Sequence, residues 1–242
     1  MIKDGIHLID CKKGMRKIRA GTVDLICTDP PYIKDEWEAA YKNLAEGAGR
    51  ILKPGGYLIT YCGHYYLPGV LDILRTENLT FYWIVAQLNS GSKSLMHHRN
   101  IIAGYKPILI FQKNPVNPSN KIFMDVISGR QSKDHHPWEQ SIHEALHLLT
   151  RFGSPGDLMV DPFLGSGTWC LAAQLIGIRH IGFEINPDTY RTAQERLTQR
   201  PLDLSSFGPC DTCRDCGSLD RCGSRDPHAG CEREAVTGGG TA

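Results

Sequence analysis

Short hydrophobic runs rich in Ile, Val, Leu and Tyr recur along the chain, and stretches with apolar residues at helical spacing lie between several of them. The runs predict seven β-strands, at residues 6–10, 23–28, 57–62, 82–88, 107–112, 157–161 and 179–185. The intervening stretches predict helices over 36–52, 139–152 and 168–176, and a last helix that begins at Asn186-Pro187 and stops before Pro201. This alternation is typical of an α/β domain with a doubly wound, mainly parallel sheet.

The composition allows one such domain. The chain has 242 residues, of which 41% are hydrophobic, enough for a single sizeable core. No run approaches the roughly 18 apolar residues that a membrane span requires. The residues from Met1 onward lack the charged, apolar and small-residue blocks of a secretion signal. We therefore expect a cytoplasmic protein with no membrane partner.

A glycine-rich segment, Asp161 to Thr168, follows one predicted strand. Gly165 and Gly167 remove side chains where the chain turns from strand to helix, so a ligand would reach the backbone amides. The next strand ends at Glu184, where nucleotide-binding folds place a carboxylate that accepts bonds from ribose hydroxyls. The third glycine of the dinucleotide fingerprint is missing, which favours a nucleoside without pyrophosphate. A tight structural turn is the alternative.

Asp29-Pro30-Pro31-Tyr32 follows the second predicted strand. The exocyclic amine of a nucleobase is a weak nucleophile because its lone pair is delocalised, and hydrogen bonds to both of its protons favour a pyramidal nitrogen. Asp29 and the Pro30 carbonyl would accept those bonds, the prolines would hold the turn rigid, and Tyr32 would stack on the base. The alternative is a proline-stiffened loop in which Asp29 is a turn residue.

Charge is unevenly distributed, although the net charge is only +1. Residues 1–200 carry 23 Lys and Arg against 19 Asp and Glu, whereas residues 201–242 carry 4 against 7. Between Asn89 and Lys133, seven basic residues, among them Lys106, accompany one acid. A phosphate backbone would bind such a stretch, and a solvated surface has the same pattern.

Taken in this order, the motifs resemble the S-adenosylmethionine-dependent amino-group DNA methyltransferases, in the permuted arrangement often called the β class. The resemblance covers about residues 5–200 and includes Ile9-Asp10-Cys11, Val23–Tyr32, Leu52–Gly56, Lys106–Phe111, Pro155–Thr168 and Ile181–Ile185. It implies a single Rossmann-like methyltransferase domain over 1–200, with an acceptor half at 1–113, a cofactor half at 138–200 and basic DNA-contacting insertions at 89–104 and 113–137.

The resemblance also implies a cofactor and its site. S-adenosylmethionine would place its methionine and sulfonium part against Phe163, Gly165, Ser166, Gly167 and Thr168. Glu184 would bind its ribose hydroxyls, Asp10 and Cys11 would lie beside its adenine, and Asp161 would end the first cofactor strand.

The target base would leave double-stranded DNA and bind Asp29, Pro30, Pro31 and Tyr32, at a cost of a few kcal/mol of unpairing. In this family Asp-Pro-Pro-Tyr accompanies N6 of adenine more often, and Ser in the first position accompanies N4 of cytosine, so adenine is favoured. N4-cytosine, RNA or protein-amide methylation, and a catalytically silent DNA-binding protein, are the alternatives.

DNA contacts are expected from basic side chains of the two insertions, namely Lys93, His97, His98, Arg99, Lys121, Arg130 and Lys133. Neither insertion is long enough for a separate recognition domain. We therefore expect a short recognition site or loose specificity, which a solitary or phage-type methylase could tolerate. Restriction-modification is a further expected context, and a monomer or homodimer is expected.

Two segments depart from the family pattern. Residues 136–141 read His-Pro-Trp-Glu-Gln-Ser and lack a lysine that related enzymes commonly carry, and Trp169 replaces a usual small residue or Thr. Residues 136–141 therefore differ from the family in their expected cofactor contacts, and the loop's helix is expected to pack differently, but neither departure involves Asp29 or Glu184.

The tail, 201–242, is cysteine-rich and expected to be partly flexible. It holds five of the nine cysteines, Cys210, Cys213, Cys216, Cys222 and Cys231. Their spacing predicts a metal site, with thiolates around zinc or an iron–sulfur cluster, and free thiols are the alternative. Cys27, Cys62 and Cys170 lie in apolar surroundings and are expected in the core.

Overall fold

The computed structural model describes residues 2–33, 35–88, 94–97, 99–117, 122–128 and 142–198. All of them lie in the first of two units into which the chain divides, Met1–Leu202 and Asp203–Ala242. Within the described ranges, no helix combines the length and the apolar character that crossing a membrane requires.

Strands and helices alternate along most of the chain. In order, the elements are β1 (Gly5–Leu8), α1 (Cys11–Arg16), β2 (Val23–Thr28), α2 (Trp37–Ile51), β3 (Leu52–Tyr61), a 3₁₀ turn (His64–Tyr66), α3 (Leu67–Leu74), β4 (Leu79–Leu88), β5 (Ser94–Met96), β6 (Ile101–Ala103), β7 (Tyr105–Lys113), β8 (Val126–Ser128), α4 (Ile142–Phe152), β9 (Leu158–Asp161), α5 (Thr168–Leu175), β10 (Arg179–Glu184) and α6 (Pro187–Thr198).

The main sheet has the order β1-β10-β9-β2-β3-β7-β4-β8. Strand β7 runs antiparallel to its neighbours β3 and β4, and the other neighbouring pairs are parallel. The prediction of an α/β fold with a mainly parallel sheet is confirmed.

The predicted strand count is wrong. All seven predicted strands are present, but among the described residues the main sheet has an eighth, β8, and β5 and β6 form a separate hairpin. Each of these three strands has three residues, too few for a period-2 pattern to emerge. Strand β8 forms because Val126 to Ser128 pair with Ala86 to Leu88 of β4, and the sequence does not reveal that partner.

Helices cover both faces of the sheet. Buried residues of α1, α2 and α3, including Met15, Tyr41 and Leu74, form one apolar core against one face. Residues of α4, α5 and α6, including Leu148 and Ala193, form a second core against the other. Sequence reasoning missed α1 and α3, which have six and eight residues. As predicted, three cysteines are buried in the cores: Cys27, Cys62 and Cys170.

Strands β2 and β9 are parallel neighbours, and the connections that follow them lead toward opposite edges of the sheet. After β9 the chain passes through α5 to β10, and after β2 it passes through α2 to β3 on the other side. The two loops therefore diverge and leave a crevice at the carboxyl ends of the strands, where open α/β sheets bind their ligands.

A buried hydrogen bond joins the two strands at this crevice. The hydroxyl of Thr28, the last residue of β2, donates to Oδ1 of Asp161, the last residue of β9, over 2.7 Å. The backbone amide of Phe163 lies 3.2 Å from the Thr28 hydroxyl oxygen and 3.1 Å from the same Asp161 oxygen. Thr28 thus connects two loops that are far apart in sequence.

We expect Thr28→Val to lower the free energy of unfolding by about 1–3 kcal/mol, because it leaves buried polar partners unsatisfied while keeping the side-chain shape. Urea unfolding followed by circular dichroism measures this. Thr60→Val is the matched control, since it removes a buried hydroxyl of β3 that donates to the adjacent carbonyl of Tyr61. Equal losses of unfolding free energy in the two variants would contradict the inference that the Thr28 hydroxyl stabilises the chain more than another buried hydroxyl does.

Candidate active site

The loop from Pro162 to Gly167 carries the glycine motif from β9 into α5. Gly165 and Gly167 have φ angles of 52° and 83°, in the left-handed region that favours glycine. A Cβ on Gly167 would also lie 3.3 Å from the Cβ of Ala193 on α6. The turn therefore needs these glycines for its own geometry, and the evidence for a ligand must come from the groups around it.

Glu184, at the end of β10, lies directly beside this loop. Its Oε2 accepts from the amide of Gly165 at 3.0 Å, and its Oε1 accepts from the amides of Ile185 and Asn186 at 2.9 and 2.8 Å. The structure thus brings together Gly165 and Glu184, as the sequence predicts. Three amides fix the carboxylate, which has about four lone-pair directions, so one remains for a ligand hydroxyl.

Arg196 of α6 clamps the same loop, and sequence reasoning missed it. Its Nη1 lies 2.9 Å from the carbonyl oxygen of Ser166, 2.8 Å from Ser166 Oγ and 3.2 Å from Thr168 Oγ1. Phe163 and Ser166 are half-buried, and Thr168 is buried. No local pattern around Arg196 signals this contact, because its partners lie about one supersecondary unit earlier in the chain.

Asp10 and Cys11 lie at the start of α1, next to the end of β10. The amide of Ile9 donates to the Glu184 carbonyl at 2.8 Å. Asp10 caps α1, with Oδ1 accepting from the Lys13 amide at 3.0 Å. Burial, together with the nearby Asp10 charge, raises the pKa of the Cys11 thiol to about 11. The predicted adenine-side residues thus lie on the same side of the crevice as Glu184.

The Asp29–Tyr32 turn lies on the other side of the crevice. The Tyr32 hydroxyl donates to Oδ1 of Asp29, and the Nζ of Lys106 on β7 donates to Oδ2 at 2.8 Å. Pro30 is buried and Pro31 half-buried. Burial, reinforced by the Asp29 charge, raises the pKa of Tyr32 well above its usual value, so its hydroxyl remains a donor.

Beneath this turn lie two residues that the sequence did not single out. The ring of Tyr61, at the end of β3, lies 4.4 Å from Lys106 Nζ, and its hydroxyl donates to Oε2 of Glu144 at 3.1 Å. Glu144 is buried in α4, and burial raises its pKa to about 7. Trp169, which departs from the family pattern, is buried with its ring 6.2 Å from that of Tyr61.

Two of the predicted DNA-contacting residues, and none of the predicted metal-binding cysteines, fall within the described residues. His97 and Arg99 are exposed at the turn of the β5–β6 hairpin. In the part of the chain that the structure describes, no group of three or more His, Cys, Asp or Glu side chains is placed to bind a metal ion. Several predicted residues lie outside the described residues, namely Lys93, His98, Lys121, Arg130 and Lys133, the segment 136–141, and Cys210, Cys213, Cys216, Cys222 and Cys231.

Comparisons with known proteins match most of the chain. A family model described as DNA methylase matches residues 23–195. The putative methylase YubD of Escherichia coli K12 is 28% identical over 204 residues, which cover 78% of this chain and 87% of YubD. The type II methyltransferase M.HpaI of Haemophilus parainfluenzae is 26% identical over 230 residues, which cover 76% of this chain and 71% of M.HpaI.

Two solved structures share the fold. The M1.HpyAVI–SAM complex aligns with a TM-score of 0.64 and 21% identity, over 80% of this chain and 98% of that one. The PvuII DNA methyltransferase, described as cytosine-N4-specific, aligns with a TM-score of 0.69 and 16% identity, over 86% and 91%. At these identities the likeness concerns the fold.

Asp161 gives the chain a pH-dependent stability. Burial, opposed by its bond from Thr28, raises its pKa to about 7. The folded chain therefore keeps the Asp161 proton at pH values where the unfolded chain, with a pKa of about 4, has released it. The contribution of Asp161 to stability therefore falls as the pH rises between about 4 and about 7.

We expect Asp161→Asn, which cannot ionise, to gain stability relative to the parent as the pH rises through this interval. Urea unfolding at closely spaced pH values measures the difference. Asp72→Asn, at an exposed position of α3, is the control and should keep a constant difference from the parent. A constant difference for Asp161→Asn as well would contradict the assignment.

Proposed function

Since the chain belongs to the DNA methylase family, whose model spans residues 23–195, we propose that it transfers a methyl group from S-adenosylmethionine to the exocyclic amine of a base in double-stranded DNA, with N6 of adenine as the target. One observation carries the proposal. The Asp29–Tyr32 turn and the Phe163–Thr168 loop leave adjacent parallel strands and face one crevice, which suits a reaction that brings a donor and an acceptor together.

On the donor side, the described residues suit a nucleoside with a methionine tail. Glu184 keeps a lone pair for the ribose hydroxyls, Asp10 and Cys11 would border the adenine, and Asp161 ends β9. A Cβ built on Gly165 would meet only the Phe163 carbonyl oxygen, at 4.0 Å, so the backbone is open to a close ligand. Phe163, Ser166, Gly167 and Thr168 would line the rest. S-adenosylmethionine supplies a methyl group that its sulfonium makes electrophilic.

On the acceptor side, Asp29 and the Pro30 carbonyl would accept the two amine protons of a base that has left the helix. The base would stack on Tyr32. These bonds would favour a pyramidal nitrogen with an exposed lone pair. Attack of this lone pair on the methyl carbon would break the sulfur–methyl bond, whose electron pair would stay on sulfur. Asp29 would act through position and charge, and the extra proton of the methylated amine would leave to water afterwards.

The choice of base rests on the first residue of the motif. Asp at position 29 favours adenine within the resembled family, and it argues against protein glutamine enzymes, which usually carry Asn there. N4 of cytosine is the principal alternative, since the structurally similar PvuII enzyme is cytosine-N4-specific. His97 and Arg99 are exposed to meet DNA, together with the predicted basic residues of the insertions. The protein would act as a monomer or homodimer, with or without an accompanying restriction enzyme.

We expect the purified protein to transfer tritium from labelled S-adenosylmethionine to double-stranded DNA, and much less to RNA or protein. Asp29→Ala should lower the rate by about 10²–10³-fold, because it removes a positioned electrostatic contact to the reacting amine. Asp72→Ala, at an exposed site of α3, is the matched control. Mass spectrometry of the nucleosides distinguishes N6-methyladenine from N4-methylcytosine. A rate unaffected by Asp29→Ala, or label confined to RNA or protein, would overturn the proposal.

We expect Glu184→Ala to weaken binding of S-adenosylmethionine about 10–100-fold, because hydrogen bonds to a charged group contribute roughly 1.5–3 kcal/mol. Calorimetric titration without DNA measures this directly. Glu195→Ala, an exposed glutamate on α6, should bind as the parent does. If Glu184→Ala bound S-adenosylmethionine as tightly as the parent does, Glu184 would not be a cofactor-binding residue.

A further inference from the structure

Lys106 is a lysine of the basic stretch whose ammonium points into the crevice. Its Nζ donates to Asp29 Oδ2 at 2.8 Å across 77 positions of sequence, and the side chains of Lys106 and Asp29 are 29% and 25% exposed. The other carboxylate oxygen of Asp29 accepts from the Tyr32 hydroxyl. The carboxylate therefore has an anchor on each oxygen.

The position of the ammonium is itself constrained. Nζ lies 5.0 Å from the centre of the Tyr32 ring and 4.4 Å from that of Tyr61, within the range of cation–π attraction. The Tyr61 hydroxyl is bonded to the buried Glu144, which fixes the ring. A lysine side chain is flexible in solution, but here a carboxylate and two aromatic rings hold its end.

We propose that Lys106 is a positioning residue for methyl transfer, which fixes the plane of the Asp29 carboxylate before the base arrives. The inference rests on the proposed function. An acceptor oriented in advance requires no reorganisation during the reaction. The Lys106 charge also compensates the partly buried carboxylate.

A lysine in a basic stretch is otherwise expected to contact phosphate, and the two roles have different consequences. Loss of a phosphate contact raises KM for DNA and reduces the slope of affinity against salt concentration by about one. Loss of a positioning residue lowers kcat and leaves both KM values nearly unchanged. The direct bond to Asp29 favours the second outcome.

The test uses steady-state kinetics of the full chain on DNA with S-adenosylmethionine. We expect Lys106→Met to lower kcat about 10–100-fold, with KM for DNA and cofactor within about twofold of the parent, and Lys106→Arg to restore part of kcat. Lys42→Met is the matched control. It removes an exposed lysine of α2 that donates to Glu38, and it should leave kcat unchanged. Circular dichroism checks that each variant is folded.

A double-mutant cycle separates an effect through Asp29 from an independent one. Asp29→Asn keeps one carbonyl oxygen as an acceptor but removes the charge that Lys106 binds. In that background we expect Lys106→Met to lower kcat less than about threefold. An equal loss in both backgrounds, an unchanged kcat, or an effect confined to KM for DNA and its salt dependence would overturn the inference. If the parent protein itself transferred no methyl group to DNA, the proposed function would fail, and this inference with it.

Discussion

The rest of the crevice depends on the hydrogen bond between Thr28 and Asp161. Neighbouring strands are about 4.8 Å apart, so pairing brings the ends of β2 and β9 close, but it does not determine where the following loops go. The Thr28 hydroxyl is bonded to Asp161 and near the Phe163 amide, so it ties the start of one loop to the end of the other strand. A reaction between groups on two loops needs its reacting atoms about 3–3.5 Å apart. A fixed link at the base of both loops meets that requirement better than contacts between the loop tips would.

On the acceptor side, a chain of polar contacts joins the partly buried Asp29 and Lys106 to the buried Tyr61 and Glu144. Asp29, Lys106, Tyr61 and Glu144 come from the end of β2, from β7, from β3 and from α4. Each contact satisfies a group that would be costly to bury alone. Since the four elements are separated along the chain, the acceptor side forms only when the central strands and the α4 face of the sheet are assembled. Its geometry is therefore a property of the folded domain and not of the Asp-Pro-Pro-Tyr turn alone.

The sequence predicted those parts of the molecule that local patterns determine. Hydrophobic runs located the seven longer strands, and the spacing from Gly165 to Glu184 singled out two residues that the structure places next to each other. The parts that were missed depend on distant partners. In the sequence, Arg196 cannot be distinguished from other arginines of an amphipathic helix. Glu144 resembles any polar residue of α4, and Lys106 is one of several charges in a basic stretch. Strand β8 forms because β4 offers an edge, and three residues contain too little pattern to reveal that.

The contacts of the crevice impose no order on its two halves along the chain. Strand β9, its loop and α5 form a complete strand–loop–helix unit, and so do β2, its turn and α2. What these units need from each other is adjacency in the sheet and the Thr28–Asp161 bond, and neither depends on which unit is made first. The long connection between them can therefore vary, provided that it also delivers β7, because Lys106 on that strand completes the surroundings of Asp29. The segment that joins the two units could therefore restrict their order along the chain, whereas the contacts within the crevice could not.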